Sequence, residues 1–192
     1  MKEAYKVIRN AISEDALELV KNSILLSKQA DYFNKGVDQA NRTAFGDEQS
    51  PISYANYSLA VNDALMLTLH PLMEEATGLN LYPTYTYSRI YWKGSTLAKH
   101  TDRPSCQYST TICIANDPEP WGIYMADTEV FLEPGDLVVY QGCEIEHWRD
   151  PYQGNQQIQV FCHYVDADDK YAEWKFDKRP MLGLSHTTKT GR

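Results

Sequence analysis

The chain has 192 residues, 43% of them hydrophobic and 23% charged, which suits one domain with a buried core and excludes disordered and fibrous classes. Its net charge of −8 argues against nucleic acid as a partner, because that affinity comes from Lys and Arg displacing counterions. No apolar run approaches the roughly 20 residues that span a bilayer, and residues 1–5 lack a secretory apolar stretch, so no membrane segment and a cytoplasmic location are expected.

The first predicted element is a helix over 14–31. Ser13 is its N-cap, Glu14 and Asp15 complement the helix dipole in the first turn, and Ala16, Leu17, Val20 and Ile24 recur at helical spacing. Residues 34–58 are polar, contain Pro51 and read as a long loop of the kind that often carries function. A second helix begins near Leu59 and places Leu65, Leu69 and Leu72 on one side. It ends at Gly78, and Pro71 is expected to break or kink it.

From Tyr82 the texture changes to short β-rich runs, over 85–92, 107–115, 122–125, 129–132, 137–140 and 156–165. A helical part over about 1–80 followed by many short strands predicts an α+β chain with a sandwich or barrel core. Pro134-Gly135-Asp136 is a turn, the Pro fixing φ and the Gly supplying a positive one. Residues 179–192 are polar and expected to be a mobile tail. Cys106, Cys113, Cys143 and Cys162 form no C-x-x-C pair and are read as thiols filling core space.

Chemistry is concentrated around His100-Thr101-Asp102. Residues two apart on a strand point the same way, so His100 and Asp102 can offer an imidazole and a carboxylate to one cation. A second imidazole would complete a facial set of two histidines and one carboxylate, which leaves three positions free on a six-coordinate Fe(II). His70 lies in the helical part and His186 in the tail, so His147 and His163 are the candidates for that third donor.

Tyr91, Gly94, Leu97, His100 and Asp102, followed by Pro134-Gly135-Asp136 and His147, together resemble the prolyl-4-hydroxylase-like branch of the Fe(II)/2-oxoglutarate oxygenases. The resemblance covers about residues 83–166. It implies a double-stranded β-helix, or jelly roll, with the N-terminal helices packed outside it. It further implies that His100, Asp102 and His147 hold Fe(II), that Tyr91 lines the 2-oxoglutarate pocket, and that ascorbate can serve as an accessory reductant. The implied dioxygenase would hydroxylate a peptide side chain or small metabolite with release of succinate and CO2.

One family position differs. The last strand of these enzymes carries an Arg or Lys that clamps the distal carboxylate of 2-oxoglutarate, and here the place is Gln157. Arg149 is the first substitute, sharing strand parity with His147, because burying a carboxylate calls for a paired cation. Arg89, in parity with Tyr91, is the second, although it can equally meet an acidic substrate; Arg103 is expected to point away from the iron. His163 shares a face with Gln157, Gln159 and Phe161, and is read either as a pocket residue or as a satisfied core histidine.

Tyr85, Tyr87, Trp92, Trp121 and Trp148 lie near the site in sequence; such aromatics are more often core than substrate contacts, and Tyr87 and Trp148 are the first two to test for contact with substrate. Two other readings stay open: a cupin-like metalloenzyme that does not use 2-oxoglutarate, and a non-catalytic β-sandwich binding module with a residual metal site.

Overall fold

The computed structural model of the chain describes residues 4–41 and 45–184. Twelve regular elements follow in order: β1 (Tyr5–Ile8), α1 (Glu14–Lys35), β2 (Ser53–Tyr57), α2 (Ala60–Thr77), β3 (Leu81–Trp92), β4 (Leu97–His100), β5 (Tyr108–Ala115), β6 (Ile123–Met125), β7 (Thr128–Val130), β8 (Leu137–Tyr140), β9 (His147–Arg149) and β10 (Gln156–Asp166). Short 3-10 segments cover Pro104–Cys106 and Lys170–Lys178. The strands form two antiparallel sheets, ordered β1-β8-β5-β10-β3-β2 and β4-β9-β6-β7, which is the α+β jelly-roll architecture expected.

Helix α1 starts where its cap predicts, with Ser13 Oγ accepting from the Ala16 N–H, and runs to a left-handed Gly36. The expected break at Pro71 does not occur; α2 passes through it. Proline frees the carbonyl four residues back, which belongs to Leu67, and both residues are exposed, so water can take the lost bond.

Three further expectations are corrected. The N-terminal part contains β1, and the supposed loop 34–58 contains β2; these short strands close the two edges of the larger sheet. The polar segment after 178 is also not loose throughout. Arg179 donates to the Thr84 carbonyl at 3.0 Å and the Gly183 N–H to Asp63 at 2.8 Å, while residues 185–192, with His186, lie outside the described residues.

The core follows from alternation along the central strands. On β10, Ile158, Val160, Cys162 and Tyr164 pack with Ile24, Met66, Met73 and Ile90 under the helices. The intervening Gln157, Gln159, Phe161 and His163 face the other way, toward the smaller sheet, as do Tyr85, Tyr87, Arg89 and Tyr91 on β3. That inner face, where polar and aromatic side chains mix, is where the site is built. Among the described residues no helix is long and apolar enough to cross a membrane.

Candidate metal centre and its cavity

Strands β4 and β9 pair so that His100 stands opposite His147. Strand β4 ends at His100, so the shared strand parity expected for Asp102 is not what positions it. The irregular segment that follows does, anchored by the Asp102 N–H donating to the Gly142 carbonyl at 2.8 Å. Each imidazole is oriented by the backbone two residues earlier: Nδ1 of His100 lies 2.7 Å from the Ala98 carbonyl, and Nδ1 of His147 lies 2.9 Å from that of Ile145. A carbonyl only accepts, so both Nδ1 atoms carry protons, and in the neutral rings both Nε2 atoms offer a lone pair.

Those Nε2 atoms face Asp102 Oδ1 at 3.4 and 3.6 Å, and the three donor atoms lie within 4.8 Å of one another. Burial holds His147 below the ordinary histidine range despite Asp102. Burial works the same way on His100, but the Asp102 and Ala98 contacts outweigh it and raise that group. For Asp102, burial opposes ionisation and the surrounding imidazoles overcome it, so its carboxyl sits below the usual range. Two neutral nitrogens and one carboxylate oxygen converging on a point can hold a divalent transition metal.

The triad opens into a cavity of about 410 Å³ whose walls include Tyr85, Tyr87, Phe161 and His163. Arg89 and Arg103 also line it. Arg89 donates to Ser53 Oγ at 3.0 Å and to Asp47 at 2.6 Å, the latter from the segment before β2, which neutralises its charge. Arg103, expected to point away, instead meets both oxygens of Asp177 at 2.8 Å on the cavity wall. Asp177 also accepts from Tyr57 Oη at 2.6 Å, and Phe176, Asp177 and Lys178 all hold positive φ, a strained run for residues with side chains.

Arg149 lies two residues after His147 on the same face of β9 and is 2% exposed. One guanidinium nitrogen donates to the Trp121 carbonyl at 2.9 Å, and the Trp121 ring covers the group at 4.8 Å. Its Nε and Nη2 have no hydrogen-bond partner and no carboxylate pairs with it among the described residues. The Tyr91 hydroxyl, Gln157 Oε1 and Gln159 Nε2 are likewise buried without partners; Tyr91 stands opposite Gln157 in the β3–β10 ladder. Burial lowers the Arg149 pKa. Arg149, Tyr91 and Gln157 do not line the cavity. Leu97, the cross-strand partner of Arg149, and Phe161, clustered with Tyr91, do.

His163 is buried beside the triad with Nδ1 2.8 Å from Ser109 Oγ. Trp148 is not beside the cavity: it lies on the opposite face of β9, stacked on Tyr124 at 4.8 Å with Lys99 above it. Trp92 belongs to the core under the helices, and Trp121 packs on Tyr91 and Tyr152. The reading from sequence missed Asp47, Ser109, Gly142 and Asp177, polar or small residues that no local pattern distinguishes.

The sequence matches no protein-family model and no curated protein. Solved structures do resemble it. AviO1 from Streptomyces viridochromogenes Tue57 has a TM-score of 0.65 at 16% identity, over 86% of this chain and 91% of that one. The viral collagen prolyl hydroxylase vCPH from Paramecium Bursaria Chlorella virus-1, a 2OG complex, has a TM-score of 0.60 at 10% identity, over 84% and 96%. HygX from Streptomyces hygroscopicus, with nickel, 2-oxoglutarate and hygromycin B bound, has 0.61 at 12%, over 86% and 84%. The chain therefore has the double-stranded β-helix fold of the prolyl hydroxylases and related non-haem, 2-oxoglutarate-dependent oxygenases.

Proposed function

We propose that the chain is an Fe(II)/2-oxoglutarate-dependent dioxygenase that hydroxylates a small molecule or a peptide side chain. The observation that carries this reading is Arg149. A buried guanidinium with two unsatisfied nitrogens and no anion costs several kcal/mol, and a carboxylate arriving from outside removes that cost. The orphaned Tyr91 hydroxyl adds a donor to the same place.

His100, Asp102 and His147 would hold the metal, and their nitrogen and oxygen donors fit Fe(II). When bound, the iron would activate O2, with 2-oxoglutarate as the two-electron donor, so that one oxygen atom enters a substrate C–H bond and the other the succinate formed as CO2 leaves. The protein's own part is placement. Arg149 and Tyr91 hold the distal carboxylate, with Gln157 and Gln159 available beside them, and the Trp121 ring covers the guanidinium and keeps water from it. Leu97 and Phe161 must give way for the co-substrate to reach Arg149. Arg89, already neutralised by Asp47, belongs to the wall that meets the substrate. The reading treats the chain as one domain acting in the cytoplasm, where its four free thiols would stay reduced.

Succinate release from 2-oxoglutarate in the presence of Fe(II), ascorbate and O2, lost in Asp102→Ala, is the expected result. Metal uptake without succinate release and without 2-oxoglutarate binding would instead identify a metalloenzyme of another type.

A further inference from the structure

The two oxygens of Asp102 have different surroundings. Oδ1 faces the imidazoles of His100 and His147, whereas Oδ2 lies 3.4 Å from Ser109 Oγ. The backbone of Gly142 passes close to the same oxygen, since a Cβ there would lie 2.5 Å from Oδ2. Ser109 on β5 and His163 on β10 are direct cross-strand partners, both buried, and Ser109 Oγ sits 2.8 Å from Nδ1 of His163 and 3.0 Å from the Cys106 carbonyl.

Counting protons shows which arrangement of these groups leaves Oδ2 with a donor. Ser109 brings one proton, and both the Cys106 carbonyl and ionised Oδ2 only accept. With Nδ1 of His163 bare, that nitrogen would be the nearest acceptor and would draw the Ser109 proton, leaving Oδ2 without a donor. With the proton on Nδ1, His163 donates to Ser109, whose own proton is free for the carboxylate, the stronger of the two remaining acceptors.

We propose that His163, as the Nδ1–H tautomer, and Ser109 form a two-link donor chain that ties Oδ2 of Asp102 back from the metal position, so that Asp102 offers Oδ1 alone. This rests on the triad being a metal site. A carboxylate that turned both oxygens to the metal would take up a position that the co-substrate needs. Ser109 and His163 are therefore positioning residues, acting through Asp102, and their effect falls on co-substrate affinity rather than on metal affinity.

The test uses the full chain, titrated by calorimetry first with Ni(II) and then, Ni(II)-loaded, with 2-oxoglutarate. Ser109→Ala should retain or raise Ni(II) affinity and weaken 2-oxoglutarate binding by about tenfold or more. His163→Phe should do the same, while His163→Asn, whose amide N–H falls near the place of Nδ1, should restore most of the loss. The Co(II)-substituted Ser109→Ala protein should also show a d–d absorption spectrum different from the parent, reporting the changed coordination. The proposal is overturned if the Ser109→Ala Kd for 2-oxoglutarate stays within about twofold of the parent, or if Ni(II) and 2-oxoglutarate affinities fall in equal proportion. It is also overturned if His163→Asn is as defective as His163→Phe. A parent that takes up no Ni(II) overturns the metal-site reading itself, and this proposal with it.

Discussion

His100 and His147 face each other across β4 and β9 with ring centroids 4.3 Å apart, each turned by a backbone carbonyl so that its Nε2 looks toward Asp102. The arrangement stands on backbone hydrogen bonds, so the donors are set before any metal arrives. Replacing His100, Asp102 or His147 by Ala should each lower Ni(II) affinity by about a hundredfold or more, since each removes one of three donors. Calorimetry measures the loss and far-UV circular dichroism checks the fold. A variant that binds as the parent does is not a ligand substitution.

Arg149 should behave as a cation waiting for its anion. Arg149→Gln removes a charge-assisted contact, of about 1.5–3 kcal/mol, and should raise the Kd for 2-oxoglutarate roughly ten- to a hundredfold with Ni(II) binding unchanged. Arg149→Met should raise the melting temperature of the ligand-free protein, because an unpaired buried charge is replaced by a side chain that suits its surroundings. It should also abolish the rise in melting temperature that 2-oxoglutarate gives the parent. Arg89→Gln should leave that rise intact; if it removes the rise instead, the anchor lies on β3.

Stability of the metal-free protein should fall with pH through the histidine range. Burial pushes His163 down to about 4, whereas an unfolded histidine titrates near 6.5. Between these values the unfolded chain holds a proton that the folded chain does not, so stability is full above about pH 6.5 and is lost as pH falls toward 4, by on the order of 3 kcal/mol. His147, also lowered by burial, acts in the same direction, and His100, raised, acts in the opposite one. Urea unfolding at pH 7 and pH 5 should therefore show a smaller pH-dependent loss in His163→Phe than in the parent. Equal losses would mean that His163 is protonated in the folded protein.

Gly142→Ala should disable the metal site without touching a ligand. A Cβ at that position would lie 2.5 Å from Asp102 Oδ2 and 3.0 Å from Ser109 Oγ, and closer still to the Cys106 carbonyl, so the carboxylate must move. Ni(II) affinity should drop by about tenfold or more, which calorimetry detects, and stability should fall by about 1–3 kcal/mol from overpacking.

The sequence displayed those parts of the fold that rest on long periodic runs. Both helices, β3, β5 and β10 could be read because alternation or helical spacing persists over enough residues to stand out, and β6, β7 and β8 as short β-rich runs on either side of turn residues. Strands β1 and β2 could not, being short edge strands of mixed polarity, and β4 and β9 contribute only four and three residues. His100, Asp102 and His147 were legible through their spacing and the Pro134-Gly135-Asp136 turn, whose Gly135 does hold a positive φ of 94°. Arg149 does lie on the same buried face of β9 as His147, as their parity predicts. Arg103 was misjudged because its partner, Asp177, lies 74 residues away in a segment without a pattern. Ser109 and Gly142 matter through tertiary proximity to one carboxylate, which leaves no local trace.

Strand β10 separates two kinds of constraint along one stretch of chain. Its even-numbered residues from Ile158 to Tyr164 answer to the apolar core under the helices, and its odd-numbered residues from Gln157 to His163 to the space between the two sheets. A substitution on one register leaves the other undisturbed, so the lining of the interior can be rewritten, Gln for a cation included, while the scaffold keeps folding by the same alternation. That independence gives a physical reason why chains only 10–16% identical to this one can share its architecture.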